Sequence, residues 1–130
     1  MKRNSALIVD DEKNIRMTLV QALEMLDIET ETAVNGEDAL DKIRDKDFAL
    51  VLLDLKMPGT DGMEVLRRLV QEKPGLKVII ITAYGSVDTA VAAMKIGAAD
   101  YLQKPFSPQD IKESVCGVLG MNKTQQGKQR

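Results

Sequence analysis

Short apolar runs rich in branched residues alternate with amphipathic segments along almost the whole chain. The run Val78-Ile79-Ile80-Ile81 is apolar on both faces of a strand, which is typical of parallel strands covered by helices on each side. Strands are predicted at residues 6–9, 28–34, 48–53, 77–81 and 99–103. Five strands in strict alternation with five helices predict an α/β fold, a doubly wound parallel sheet with helices on two faces and right-handed crossovers.

Between the strands, apolar residues recur at the spacing of helices that pack on a core. The five stripes consist of Ile15, Leu19, Leu23 and Leu26; Ala39, Leu40 and Ile43; Met63, Leu66, Leu69 and Val70; Val87, Ala90, Val91 and Met94; and Ile111, Val115, Val118 and Leu119. The second strand has a partly charged face, which predicts a place at the sheet edge. Gly97 is expected to end the fourth helix, and Pro108 to lie near the start of the fifth.

Composition and charge exclude several classes of protein. The 130 residues suit one domain, and a net charge of −2 argues against binding nucleic acid or a membrane through bulk charge. No apolar run reaches the roughly 20 residues that span a bilayer, and the run ending at Val9 is too short for a signal peptide. A single cysteine, Cys116, rules out an internal disulfide and fits the cytoplasm. The absence of histidine excludes most hydrolase triads and the usual zinc sites.

Polar groups follow four of the five predicted strands. Asp10 and Asp11 follow the first, Asp54 the third, Thr82 the fourth and Lys104 the fifth. Ligands of open α/β sheets bind outside the carboxyl ends of the strands, so we expect these groups to share one rim. Clustered carboxylates suit Mg²⁺, and a carboxylate can act as a nucleophile that forms an aspartyl phosphate. The metal ion and Lys104 would neutralise charge during phosphoryl transfer, and Thr82 could hydrogen-bond a phosphoryl oxygen.

Each of these residues has an ordinary structural explanation when it is taken alone. Asp10 or Asp11 could cap the following helix, Asp54 could be a turn residue, and Lys104 could be a solvated surface lysine. Their convergence on one rim by accident has a low joint probability. No residue is evident that would activate water, so the set favours a site that receives a phosphoryl group and holds it.

The same residues resemble the receiver domains of bacterial two-component response regulators. The resemblance covers about residues 4–120 and fills all five key positions. Its motifs are Leu7-Ile8-Val9-Asp10-Asp11-Glu12, Asp54-Leu55-Lys56-Met57-Pro58-Gly59-Thr60-Asp61-Gly62, Thr82-Ala83-Tyr84-Gly85 and Lys104-Pro105-Phe106. It implies a flavodoxin-like strand order of 2-1-3-4-5 and a receiver domain over residues 4–120. The Gln- and Lys-rich residues 121–130 are expected to be a flexible tail or the start of a linker.

The resemblance also implies the chemistry of the rim. Asp54 would accept a phosphoryl group from a partner histidine kinase. Asp11, Asp54 and the backbone carbonyl of Lys56 would ligate Mg²⁺, or Mn²⁺ as a substitute. Asp10 would act through a water molecule or by contacting one of these ligands. The chain would be a signalling phosphoacceptor, not an enzyme, and would assist only its own phosphorylation and dephosphorylation.

Further positions would respond to the phosphoryl group, again as the resemblance implies. Lys104 would pair with one phosphoryl oxygen, Thr82 would move to bind another, and Tyr101 would be an aromatic switch that turns inward. The Lys104–Pro105 peptide bond would be cis.

As the resemblance implies, the conformational change would reach a partner through the face made by the fourth helix, the fifth strand and the fifth helix. Ala90, Met94, Tyr101 and Lys112 are candidates for that face, although core packing is the favoured interpretation of Met94. Cys116 is interpreted as a small core residue.

Partners are implied by the same resemblance. The segments 83–91 and 97–101 look most like receivers of AAA+ transcriptional activators that work with the nitrogen-type sigma factor. We therefore expect a sensor histidine kinase, an output domain or target protein that activates transcription, and as a further option a homodimer through the output face. Direct contact with nucleic acid or a membrane is not expected.

Three other classes of protein fit the sequence less well. A magnesium-dependent phosphohydrolase with an aspartyl nucleophile usually has a second Asp two residues on, where this chain has Lys56. A flavin-binding domain would need a phosphate loop rich in Ser, Thr or Gly where this chain has Asp10-Asp11-Glu12. The intact acidic set argues against a degenerate receiver that serves as a binding module alone.

Overall fold

Seven strands and five helices make up the part of the chain that the computed structural model describes, residues 4–83 and 85–121. The strands are β1 (Ser5–Val9), β2 (Glu29–Ala33), β3 (Leu50–Asp54), β4 (Lys56–Met57), β5 (Thr60–Asp61), β6 (Lys77–Thr82) and β7 (Asp100–Gln103). The helices are α1 (Lys13–Glu24), α2 (Gly36–Asp45), α3 (Gly62–Glu72), α4 (Val87–Ile96) and α5 (Pro108–Leu119). Residues 122–130 of the predicted tail lie outside the described residues, whereas Met121 packs against the core.

Five of the strands form a parallel sheet in the order β2-β1-β3-β6-β7. Counted among these five strands alone, the order is 2-1-3-4-5, which confirms the predicted fold and the edge position of the second strand. The remaining pair, β4 and β5, forms a short antiparallel hairpin directly after β3. The sequence analysis did not predict this hairpin, because strands of two residues carry no periodicity.

Each face of the sheet has its own apolar cluster, because successive side chains of a strand point to opposite faces. Leu7 and Val9 pack with α2, α3 and α4, whereas Ala6 and Ile8 pack with α1 and α5. Cys116 lies in the second cluster, and its prediction as a core residue is confirmed. Fully burying a Leu or Ile side chain stabilises the fold by about 1.5–3 kcal/mol. The two clusters therefore hold the strand ends in a fixed register.

Most of the apolar residues of α4 that were predicted to pack on the core are exposed. Val87, Val91 and Met94 are 79%, 47% and 46% exposed, and the interpretation of Met94 as a core residue is wrong. The buried residue of α4 is Ala93, whose small side chain packs in the cluster that covers one face of the sheet. Because α4 is apolar on more than one face, its periodicity could not decide which face is buried.

The helix boundaries follow the predicted punctuation. Helix α4 ends at Gly97, whose φ of 134° lies in the left-handed region. Helix α5 begins with Pro108 after Ser107, which forms a reciprocal capping box with Asp110. None of the described helices is both long and apolar enough to cross a membrane.

Candidate functional site

The carboxyl ends of four parallel strands bring charged and polar residues to one rim of the sheet. Asp10 follows β1, Asp54 ends β3 and Thr82 ends β6, and all three side chains are buried. Lys104 follows β7, and its backbone N–H donates to the Thr82 carbonyl at 2.9 Å. The peptide bond between Lys104 and Pro105 is cis. The structure thus places residues from four distant segments side by side.

The Lys104 ammonium lies among three carboxylates. Its Nζ donates to Asp54 Oδ2 at 3.1 Å and to Glu12 Oε1 at 3.3 Å. Nζ also lies 3.0 Å from Asp10 Oδ2, but this contact is ionic without the direction of a hydrogen bond. Asp10 Oδ2 therefore has no hydrogen-bond donor among the described residues, although the side chain is fully buried. Lys104 therefore compensates the charge of this oxygen without a well-directed hydrogen bond, which leaves the oxygen able to contact a further cation.

The same carboxylates form a donor set of the kind that holds a hard cation. One oxygen each from Asp10, Glu12 and Asp54 lies within 4.8 Å of the other two. The cluster sets three carboxyl groups against one ammonium, so acidic groups outnumber basic ones there. Mg²⁺ prefers oxygen donors and usually binds one or two carboxylates together with several waters. The donor chemistry and the buried Asp10 oxygen, which accepts no hydrogen bond among the described residues, are both compatible with such an ion.

Burial and charge shift the pKa values of two residues at the rim. Burial raises the pKa of Asp10, against the opposing effects of the Glu12 backbone N–H and of Lys104. Burial alone would lower the pKa of Lys104, but its close contacts with the Asp10 and Asp54 carboxylates raise that pKa above the usual value. Lys104 therefore stays cationic, and an additional cation beside Asp10 would favour the ionised carboxylate.

Backbone hydrogen bonds orient both buried aspartates in the same way. The N–H of Glu12 donates to Asp10 Oδ1 at 2.9 Å, and the N–H of Lys56 donates to Asp54 Oδ1 at 3.0 Å. Each aspartate thus has one oxygen held by the backbone two residues on, and a second oxygen directed at Lys104. In addition, Arg16 Nη1 donates to the backbone carbonyl of Asp10 at 2.8 Å. These hydrogen bonds hold the loops that follow β1 and β3 in place.

The β4–β5 hairpin and α3 fix the backbone after Asp54. Helix α3 begins at Gly62, and the Asp61 side chain caps it by accepting from the N–H groups of Met63 and Glu64. A Cβ atom on Gly62 would lie 2.5 Å from Leu55 Cα and 2.8 Å from Leu55 C, far inside contact distance. Glycine therefore lets the start of α3 lie directly on the backbone between Asp54 and Lys56.

The structure places Glu12 in the carboxylate cluster, a position that the sequence analysis had given to Asp11. Asp11 is exposed and is not a member of the cluster. Glu12 is the N-cap residue of α1, and α1 has no side-chain cap, so capping does not explain the acidic loop. The signal for Glu12 was present in the sequence as a third consecutive acidic residue.

Thr82 and Tyr101 lie on the same face of the sheet. Tyr101 pairs with Ile80 across β6 and β7, and Thr82 follows two residues later on β6. The Tyr101 ring packs against the cluster that contains Ile80 and Ala93. Its hydroxyl is buried and has no hydrogen-bond partner among the described residues. Burial raises the pKa of the phenol, and the nearby Ser86 backbone acts in the opposite direction.

Comparison with known sequences gives one family. The family described as "Response regulator receiver domain" matches residues 6–116. The chain is 43% identical over 118 residues to the DNA-binding transcriptional regulator NtrC of Klebsiella pneumoniae. It is 38% identical over 119 residues to sporulation initiation phosphotransferase F of Bacillus subtilis, a match that covers 92% of this chain and 96% of that protein. The NtrC match covers 91% of this chain and 24% of NtrC, so the chain spans about a quarter of that relative.

Comparison with solved structures gives the same fold. The chain superposes on a CheY-like receiver domain from Methanospirillum hungatei with a TM-score of 0.87 and 34% sequence identity. The superposition covers 92% of this chain and 95% of the other. The predicted likeness to receivers of activators that use the alternative sigma factor is confirmed by the similarity to NtrC.

Proposed function

The chain belongs to the response regulator receiver domain family, and from this premise we propose that Asp54 accepts a phosphoryl group in a Mg²⁺-dependent reaction. Receiver domains are signalling phosphoacceptors and not classical enzymes. The observation that carries the proposal is the position of Asp54, a buried carboxylate at the rim whose two oxygens are held by the Lys56 N–H and the Lys104 ammonium. The site promotes only the gain and the loss of the phosphoryl group on its own Asp54.

Phosphoryl transfer to Asp54 is a displacement at phosphorus. A carboxylate oxygen of Asp54 attacks, a P–O bond forms, and the bond from phosphorus to the donor breaks. The 130 residues contain no histidine, so a phosphohistidine donor must lie outside them, and we propose a sensor histidine kinase as its source. The single cysteine is buried and cannot form an internal disulfide, in keeping with a cytoplasmic site for this reaction.

The residues around Asp54 supply the electrostatics of the transfer. When bound, Mg²⁺ (or Mn²⁺) would neutralise charge on the transferred phosphoryl group. We assign Asp11, Asp54 and the backbone carbonyl of Lys56 as ligands, with Asp10 acting through water. The hydrogen bond from the Lys56 N–H to Asp54 supports this assignment, as does the buried Asp10 oxygen, whose contact with Lys104 lacks hydrogen-bond geometry.

Lys104 and Thr82 would bind the phosphoryl group after transfer. A phosphoryl group adds about −1.5 to −2 charge at neutral pH. Lys104 already donates to Asp54 Oδ2, and its Nζ can move onto a phosphoryl oxygen attached at that carboxylate. Thr82 would donate its hydroxyl to a second phosphoryl oxygen, which draws the β6–α4 loop toward the rim.

We propose that the switch is read on the face formed by α4, β7 and α5. Movement of Thr82 changes the space beside Tyr101, which shares its face of the sheet. We assign Ala90, Met94 and Lys112 to the same face as Tyr101. The exposure of Val87, Val91 and Met94 supports a role in contacts with an output domain, a target protein or a second copy. From the likeness to NtrC, we infer that the output is activation of transcription.

A phosphodonor assay tests the proposed function. The purified chain is incubated with acetyl phosphate and Mg²⁺, and its intact mass is measured. We expect the mass of one phosphoryl group on the wild type, its loss with hydroxylamine, and no adduct in EDTA. Asp54→Asn should give no adduct, whereas the matched control Asp41→Asn, at a carboxylate that is 79% exposed on α2, should label like the wild type. Equal labelling of Asp54→Asn would refute the assignment.

A further inference from the structure

Gly85 lies between β6 and α4, directly against the Tyr101 side chain. A Cβ atom on Gly85 would overlap the Tyr101 hydroxyl oxygen and lie 3.0 Å from the ring atoms Cε1 and Cζ. Glycine is therefore needed here for clearance. With any larger residue, Tyr101 could not keep its present position.

The position that Gly85 permits has opposing features. The Tyr101 ring gains apolar contacts with the cluster on its face of the sheet. Its hydroxyl, however, is buried without a hydrogen-bond partner among the described residues, which opposes the same position. Burial of the ring favours the inward position of Tyr101, and burial of its hydroxyl opposes that position. The space over Gly85 is what allows Tyr101 to take it.

We propose that Gly85 is a positioning residue that sets how readily Tyr101 occupies its inward position. This inference rests on the proposed function, in which Tyr101 is the switch aromatic. Gly85 sits three residues after Thr82, in the loop that Thr82 would pull toward the phosphoryl group. A side chain at position 85 would hold Tyr101 outward and oppose the change on the output face. Gly85 thus tunes the response without touching the phosphoryl group.

Fluorine NMR of tyrosine tests the proposal directly. The chain contains two tyrosines, so 3-fluorotyrosine labelling gives two resonances, which Tyr84→Phe assigns. We expect Gly85→Ala to move the Tyr101 resonance toward the shift of solvent-exposed 3-fluorotyrosine, in the absence of any phosphodonor. The matched control is Gly117→Ala on α5, where a Cβ atom meets nothing within 4 Å, and it should leave the Tyr101 resonance unchanged. An unchanged Tyr101 resonance in folded Gly85→Ala would overturn the proposal.

A second set of variants tests the same contact where Gly85→Ala is too unstable to label. In the Tyr101→Ala background the clash is absent, so Gly85→Ala should lose at least half of its effect on the melting temperature. An undiminished effect in that background would show that Gly85 acts on something other than Tyr101. Neither measurement uses phosphorylation. Failure of this inference is therefore distinct from failure of the proposed function, which the Asp54 labelling assay decides by itself.

Discussion

Lys104→Met removes the ammonium that holds three carboxylates together at the rim. Taking away one partner of a buried ion pair costs about 3–5 kcal/mol, because the remaining charge stays buried and unpaired. Asp10 and Asp54 are almost completely buried, whereas Glu12 has a side chain that is 61% exposed and adds about 0–1 kcal/mol. Partial protonation of Asp10 relieves some of the repulsion in the variant. We therefore expect a loss of roughly 3 kcal/mol in the free energy of unfolding at pH 7.

Urea unfolding followed by far-UV circular dichroism measures this loss in EDTA buffer, with equal m-values as the check on two-state behaviour. Adding Mg²⁺ should restore more stability to Lys104→Met than to the wild type, because the variant's carboxylates have no other cation. The matched control is Lys46→Met, which removes an exposed pair with Glu31 at 2.8 Å and should cost about 0–1 kcal/mol. Equal losses for the two variants would refute the view that the rim is electrostatically distinct from the surface.

Three further outcomes are expected. Because burial raises the folded-state pKa of Asp10 above its unfolded value, its ionised form destabilises the metal-free protein once the pH exceeds the folded pKa. Asp10→Asn should therefore have a larger free energy of unfolding than the wild type in urea at pH 7, and the two values should become equal in acid. A difference between them that grows as the pH falls would contradict this. Asp11→Asn should weaken Mg²⁺ binding by calorimetry about tenfold or more, and Glu12→Gln by less; the reverse order would assign the ligand to Glu12. Gly62→Ala should cost about 1–3 kcal/mol in urea unfolding, because its Cβ meets Leu55 backbone; a neutral result would contradict the contact.

The sequence predicted the sheet because its strands carry strong signals. The run from Val78 to Ile81 is apolar on both faces, and all four residues are buried between helices. The charged second strand was placed at the edge for the same physical reason, since an edge strand tolerates polar side chains. The carboxyl ends of these strands then located Asp10, Asp54, Thr82 and Lys104 on one rim.

The sequence was less informative where tertiary contacts decide the outcome. Periodicity could not orient α4, since that helix packs through the small Ala93 and exposes Met94. It could not separate Asp11 from Glu12, because neighbouring residues in a loop have no fixed direction. The clearance over Gly85 was also invisible, because it depends on where Tyr101 lies across the sheet.

The rim joins residues that are far apart along the chain. The contacts of Lys104 with Asp54 and Glu12 span 50 and 92 residues, so the donor set does not exist once the chain unfolds. Any ligand of the rim binds the native state alone, and at 100 times its Kd such a ligand adds about 2.7 kcal/mol to stability. Proteases that act on transiently opened chains follow the population of that open form. Under the proposed function, magnesium and phosphoryl donor would therefore slow the degradation of the protein as well as set its signalling state.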